Sequence, residues 1–314
     1  MNTKYKNITM NFIWIKSMIG FLKWYYGYKN FGDELLLLGI IPYIFKHYQI
    51  DSLLIEARDT VWLETRLHRH QWLLGVHFHK ITVIAKHSAW KQKRDVLFLG
   101  WWEVLTDGRS FPHNWRNYLL YRKTILFGKY NLLWGIGTPQ SFFSKILRKV
   151  LLSRAQSVVT REKRSYDVVT TFRKQDTILY HDFAKDVINP LLSSIPVANN
   201  TAKNRKWVLN VNPYIWSSET KQRLIQYWKQ FDYVLFFPAE LWVDDTYYNE
   251  LKVALPDLML YDRTKNDIQT ILYDVSTRSG VLAARLHVLR LAKLLNIPFE
   301  ALVYQEKIKT FLGE

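Results

Sequence analysis

The chain has 314 residues, 48% of them hydrophobic and 16% aromatic, enough apolar mass for a packed core, which excludes a disordered chain. Its 44 Lys and Arg against 27 Asp and Glu leave a formal charge of +17, a surplus that attracts anions such as phosphorylated substrates, acidic lipid surfaces or nucleic acid. There is no cysteine, so a disulfide framework and a thiolate metal site are both excluded, which fits a reducing, cytoplasmic setting. Residues 11–26 read NFIWIKSMIGFLKWYY. Lys16 and Lys23 interrupt this apolar run well short of the ~20 residues that span a bilayer. Residues 19–26 are expected to be the first buried strand. Residues 1–18 are expected to be an extension with shallow contact to a membrane surface, at the inner face of the cell membrane.

From there short apolar runs alternate with amphipathic stretches, the pattern of strands and crossover helices around a parallel sheet. Strands are expected near 21–27, 52–57, 80–85, 95–100, 130–137, 157–162 and 177–182. Helices are expected at 33–47, 60–73, 115–126, 141–154 and 163–172. Residues 185–206, KDVINPLLSSIPVANNTAKNRK, have the composition of a linker. They separate an N-terminal Rossmann-like domain, 1–190, from a C-terminal one, 207–314, with 191–206 as the connection. The second set places strands at 206–213, 232–239, 257–262, 279–286 and 298–304, helices at 217–230, 244–253, 265–274 and 287–296, and a helical tail at 305–314. The predicted fold is α/β, two Rossmann-like domains facing a cleft in the GT-B-like manner.

Three segments carry candidate chemistry. After the first strand comes Gly27-Tyr28-Lys29-Asn30-Phe31-Gly32-Asp33-Glu34. The glycines let the backbone turn tightly, and the acidic pair complements the positive end of the next helix. In open α/β sheets ligands bind outside the carboxyl ends of the strands, so Asn30, Asp33 and Glu34 are expected to face the cleft. In the second segment Gly135, Gly137 and Thr138 form a loop suited to backbone contacts with phosphate or carboxylate. Arg161 follows at a strand end with the forked geometry that grips anions, and Ser165 adds a donor. In the third, Arg285 and His287 alternate with Leu286, so both can point to one side, with His287 at the first turn of a helix. Lys307 follows the next strand. That combination is an anion site with a titratable group inside it. The histidines at 68, 70, 77, 79 and 87 have no carboxylate among them and are read as surface histidines, so no metal site is expected.

Taken together, the three segments resemble the polysaccharide pyruvyl transferase family over roughly residues 20–312. The matching pieces are the G-Y-x-N-x-G-D-E turn, the Gly135-Ile136-Gly137 loop, Arg161-Glu162-Lys163-Arg164-Ser165, Arg285-Leu286-His287 and the Tyr304–Lys307 pair. The resemblance implies a donor, phosphoenolpyruvate, acting as co-substrate with no further cofactor. It implies an acceptor, a sugar or lipid-linked oligosaccharide, and a cyclic pyruvate ketal as product in cell-surface polysaccharide synthesis. It implies that Arg161, Arg285 and Lys307 hold the donor's anionic groups, that His287 is the acid/base or phosphate-contacting residue, and that Asp33 or Glu34 contacts or deprotonates the sugar. Where family members carry a glycine run, this chain has Gly100-Trp101-Trp102, which makes Glu103 and Asp107 acceptor-site candidates. A GT-B glycosyltransferase using a nucleotide sugar shares the sheet pattern and the anion loops and stays open as the alternative. Nucleic acid is not an expected partner, because most aromatics lie in strand-like runs where core packing uses them.

Overall fold

A computed structural model describes residues 17–86, 88, 91–100, 119, 122–123, 126, 130–133, 142–173, 175–195, 206–229, 231–303 and 306–313. The first set of apolar runs forms one parallel sheet: β1 (Ile19–Tyr26), β2 (Ser52–Ala57), β3 (Ile81–Ala85), β4 (Val96–Gly100), β5 (Tyr130–Leu133), β6 (Ser157–Thr160) and β7 (Thr177–Leu179), in the order β3-β2-β1-β4-β5-β6-β7. Helices α1 (Phe31–His47), α2 (Thr60–Arg69), α3 (Gln71–Leu74), α4 (Phe142–Arg154), α5 (Lys163–Thr170) and α6 (Ala184–Leu192) accompany it. Both faces are covered, so the strands are apolar on both sides and adjacent residues serve different cores. Leu22 and Phe98 join α1 and α6 in one cluster; Phe21, Leu97 and Leu99 join Leu151 and Leu152 of α4 in another.

The second set forms a five-stranded parallel sheet: β8 (Lys206–Asn210), β9 (Tyr233–Phe236), β10 (Met259–Leu260), β11 (Gly280–Ala283) and β12 (Phe299–Ala301), in the order β10-β9-β8-β11-β12. Its helices are α7 (Ser218–Trp228), α8 (Asp244–Lys252), α9 (Ile268–Ser276), α10 (Leu286–Leu294) and α11 (Glu306–Gly313). The strand order reverses between β1 and β4 in the first sheet and between β8 and β11 in the second, the two places where an open sheet leaves a crevice.

The two sheets share one core. A single apolar cluster runs from Leu22, Leu36 and Ile40 through Val208, Phe237, Ile271 and Val281 to Leu289 and Leu291, so α1 and α10 meet inside it. Above that core the chain is stitched polar group to polar group. The Phe31 N–H donates to the Ala239 carbonyl at 2.7 Å, the Leu241 N–H donates to the Lys29 carbonyl at 3.2 Å, and Asn30 forms an antiparallel bridge with Glu240.

Two expectations change. The segment read as linker from residue 185 begins as helix: α6 continues through Leu192 despite Pro190, because Val187, Ile188 and Leu191 form an apolar stripe buried in the shared core. His70 is not a surface histidine; it is 2% exposed. It lies at the end of α2, where its Nδ1 bonds the Arg66 carbonyl at 2.7 Å and its Nε2 accepts from the Ile268 N–H at 3.0 Å, satisfying an orphan donor at the start of α9. The ring therefore carries its proton on Nδ1 and stays neutral.

Burial, with the nearby Arg66 guanidinium adding to it, pushes the His70 imidazole down to about 4 from the ordinary 6.5. The folded state thus binds this proton less readily than the unfolded chain, so the contribution is complete above pH 6.5 and disappears as pH falls toward 4, a loss on the order of 3 kcal/mol. Thermal melts across that window should show the decline, and His70→Gln, which does not titrate, should flatten it. An unchanged slope in the variant would remove His70 as its source.

Candidate active site

The first motif turns sharply out of β1. Gly27 has φ +78, and a Cβ there would run into the Asp59 backbone; Lys29 also has positive φ, +58. Asn30 then caps α1, its Oδ1 accepting from the N–H groups of Gly32 at 2.9 Å and Asp33 at 3.4 Å. Capping places Asp33 in the first helical turn, 7% exposed, close enough to Tyr26 that its charge, after burial, raises the phenol. Gly32 is required by its neighbour: a Cβ at this position would collide with the imidazole of His287 at Nδ1. Two segments separated by some 250 residues thus meet at van der Waals distance.

The third motif supplies the other side. β11 ends at Ala283, and the side-chain oxygen of buried Asn210, at the carboxyl end of neighbouring β8, accepts from the Arg285 N–H at 3.0 Å. Arg285 occupies the N-cap position of α10 in extended backbone, and His287, 4% exposed, lies in the helix's first turn. The two residues are therefore brought together by a helix start rather than by strand alternation. The Arg285 Nη2 donates to Glu240 Oε2 at 2.9 Å and to Asp244 Oδ1 at 3.0 Å. Burial pushes the Asp244 carboxyl up, and the Arg285 guanidinium opposes that rise. Glu240 is also the residue that bridges Asn30, so Asn30, Gly32, Arg285 and His287 form one cluster at the carboxyl edges of both sheets, with Asp33 the next residue along α1.

Arg161 approaches this cluster indirectly. It follows β6 with a 7% exposed side chain, 3.7 Å from Asp182 Oδ2 and 4.0 Å from Glu162. Asp182 in turn pairs with Arg290, one turn beyond His287 on α10, and its Oδ1 accepts from the Ala184 N–H at the start of α6 at 3.0 Å. Ser165 is buried and donates to Glu162 Oε1 at 2.8 Å. Gly135, Gly137, Thr138, Glu103, Asp107 and the side chain of Lys307 lie outside the described residues.

Glu34 stands apart from its neighbour Asp33. Its Oε2 accepts from Arg263 Nη1 at 2.8 Å and forms an ion pair with Arg66 Nε at 3.2 Å, and its Oε1 accepts from the Trp62 indole N–H at 3.2 Å. Arg263 is 0% exposed and also donates to the carbonyls of Lys29 and Pro238; Arg66 donates to the Asn266 carbonyl. Glu34 is thus a joint between the two sheets, a position unlike that of a base facing substrate. Glu240, Asp244, Asn210, Asp182 and Arg290 were not singled out from sequence. Glu240 and Asp244 follow a strand end, the one signal that marks them.

Glu34→Gln leaves two guanidiniums without their carboxylate, and urea denaturation should register a loss of about 3–5 kcal/mol. A drop in turnover at undiminished stability would instead restore Glu34 to catalysis. Gly32→Ala forces the His287 ring away and should cost about 1–3 kcal/mol as overpacking together with most of the turnover. Normal turnover in Gly32→Ala would show that the contact is not needed.

The family profile described as Polysaccharide pyruvyl transferase matches residues 30–306, a span that contains the Asn30 cap, Arg161, Arg285 and His287. No curated protein matches the chain. Among solved structures, the S. aureus MnaA–UDP co-structure superposes with a TM-score of 0.61 at 8% identity, covering 95% of this chain and 82% of that one. The UDP-GlcNAc 2-epimerase from Neisseria meningitidis bound to UDP-GlcNAc gives 0.59 at 11% identity, with 95% and 85% covered. The UDP-N-acetylglucosamine 2-epimerase from Rickettsia bellii gives 0.57 at 11%, with 92% and 79%. At such identities these likenesses speak for the GT-B-like fold alone. The match through the clustered motifs goes further: the chain belongs to the polysaccharide pyruvyl transferase family and is a transferase.

Proposed function

We propose that this transferase moves the pyruvyl group of phosphoenolpyruvate onto a sugar and closes it as a cyclic ketal. The observation that carries the reading is the seating of His287 at the start of α10, against the Gly32 turn and two residues from the Arg285 cap. A helix N-terminus with an arginine beside it favours a small anion, and an imidazole at the same place can pass protons to and from it.

The chemistry follows from the donor. Phosphoenolpyruvate is an enol phosphate; protonation of its methylene carbon by His287 leaves positive charge on the carbon that bears the phosphate. A sugar hydroxyl adds there and loses its proton to Asp33. A second hydroxyl of the same sugar then displaces inorganic phosphate and closes the ring. Arg285 holds donor charge on the α10 side and Arg161, through its link to Asp182 and Arg290, on the β6 side; Lys307, Ser165 and the Gly135–Thr138 loop add donors to the anion. Asn30 shapes the turn that presents Asp33. Glu103 and Asp107 meet the acceptor. No cofactor beyond the co-substrate enters this scheme.

The acceptor in this reading is a sugar or a lipid-linked oligosaccharide of cell-surface polysaccharide synthesis, met on the cytoplasmic side of the membrane. Among the described residues no helix is long and apolar enough to cross a membrane. The aromatic run ahead of β1 and the charge of +17 favour peripheral contact with acidic lipid.

Phosphoenolpyruvate should raise the melting temperature of the chain, whereas uridine diphosphate should leave it nearly unchanged. His287→Ala should keep the fold and lose about 10²–10⁴-fold in turnover. Stabilisation by the nucleotide without any response to phosphoenolpyruvate would transfer the assignment to a nucleotide-sugar glycosyltransferase.

A further inference from the structure

Trp242 is an odd residue for its position. Its φ is +71, a left-handed backbone that a bulky side chain adopts only under constraint, yet the side chain is 70% exposed and serves no core. Glycine would satisfy the same turn without strain. The backbone is held there from both sides. The Trp242 N–H donates to Asp245 Oδ2 at 3.1 Å, and the preceding Leu241 N–H donates to the carbonyl of Lys29, itself a left-handed residue. Two strained residues therefore face each other across the seam that joins the sheets.

Their side chains complete the arrangement. The Lys29 ammonium sits 3.4 Å from the centroid of the Trp242 ring and 5.1 Å from that of Trp62, and it is anchored 3.3 Å from Asp59. The cation closes one face of the Trp242 indole; its exposure leaves the other face to solvent. The chain from Glu240, which holds Arg285, to Trp242 is two residues long, roughly 7 Å. Trp242 thus lies two residues along the same loop from the carboxylate that holds the Arg285 guanidinium.

We infer that Trp242, backed by Lys29, is a stacking platform for a neutral pyranose unit of the acceptor glycan other than the sugar that is modified. A pyranose presents a face of C–H groups that packs on the electron-rich indole face, and its hydroxyls point outward to hydrogen-bonding side chains. The rim supplies those as carboxylates: Asp59, Glu240 and Asp245. Asp59 is paired with Lys29 and Glu240 with Arg285, so the rim offers acceptor oxygens with little unbalanced charge, which suits an uncharged ring better than a nucleotide base with its phosphates. The platform would make the enzyme select an extended acceptor over a single sugar. This inference rests on the sugar-transfer reading above, but its test does not depend on the donor.

The test uses the full chain labelled with fluorotryptophan, the Trp242 signal being assigned from Trp242→Phe by fluorine NMR. Cellotetraose and chitotetraose serve as neutral pyranose probes and uridine monophosphate as the nucleotide control. The Trp242 signal should shift saturably with a tetrasaccharide and stay still with the nucleotide. Trp242→Gly should weaken tetrasaccharide binding about tenfold or more through loss of the stacking surface, while Trp242→Tyr retains most of it. Because glycine relieves the backbone, the Gly variant should melt no lower than the parent and should keep its response to phosphoenolpyruvate. A Trp242 signal unmoved by both tetrasaccharides, or moved by the nucleotide alone, overturns the platform. So does a Gly variant that binds the tetrasaccharides as the parent does. A chain that binds tetrasaccharide at Trp242 but does not respond to phosphoenolpyruvate keeps the platform and loses the pyruvyl-transfer reading.

Discussion

One carboxylate holds the two sheets in register. Glu34, at the start of the helix that leaves β1, lies between Arg66 from α2 and Arg263 from the second sheet's half of the chain. Burying three charges carries a desolvation cost that their attraction only partly offsets, so such a triad contributes more to specificity than to net stability. Here the specificity is geometric. Arg263 also grips the carbonyls of Lys29 and Pro238, the two loops that form the seam. Fixing those loops sets the Phe31–Ala239 hydrogen bond and the Asn30–Glu240 bridge. Those in turn bring the Gly32 turn against His287 and Glu240 against Arg285. The contacts that cross the seam are thus braced by one glutamate.

The layout of strands and helices was legible in the sequence because a parallel sheet covered on both faces writes itself as short apolar runs. VLFLG at 96–100 and GVLA at 280–283 are buried throughout. Asn30, Asp33, Arg285 and His287 could be picked out as candidates because all four follow strand ends at helix starts, where backbone donors accumulate. Glu34 illustrates the limit. Its place in an acidic pair at a helix N-terminus looks the same in sequence whether it meets a sugar or two arginines, and the arginines lie 32 and 229 residues away without any periodic mark. His70 fails for the same reason: a histidine that caps a helix nearly 200 residues downstream carries no local sign. α6 was hidden by Pro190 and by the polar tract behind it, while the apolar stripe that decides its burial, Ala184, Val187, Ile188 and Leu191, is only four residues deep.

Charge is arranged in the site with economy. The chain as a whole carries a large positive surplus, but near the cluster each described guanidinium is matched by acid: Arg285 by Glu240 and Asp244, Arg161 and Arg290 by Asp182. Pairing keeps the arginines oriented when no anion is bound, so less side-chain order is lost when one arrives. The raised Asp244 carboxyl shows how far burial strains this balance; a second anion near Arg285 would have to share the same guanidinium with it.

The shared core constrains how the enzyme works. Independent domains move relative to one another unless their interface is large and apolar, and here one apolar cluster passes from α1 through α9 and α10 without interruption. A hinge that opened the sheets would expose Phe237, Ile271 and Leu289 and break the Glu34 triad at the same time. His287 and the Gly32 turn are therefore held at a fixed separation through the catalytic cycle. The fixed element of the candidate site is thus the pair of helix starts that carry Gly32 and His287, because α1 and α10 are both anchored in the shared core.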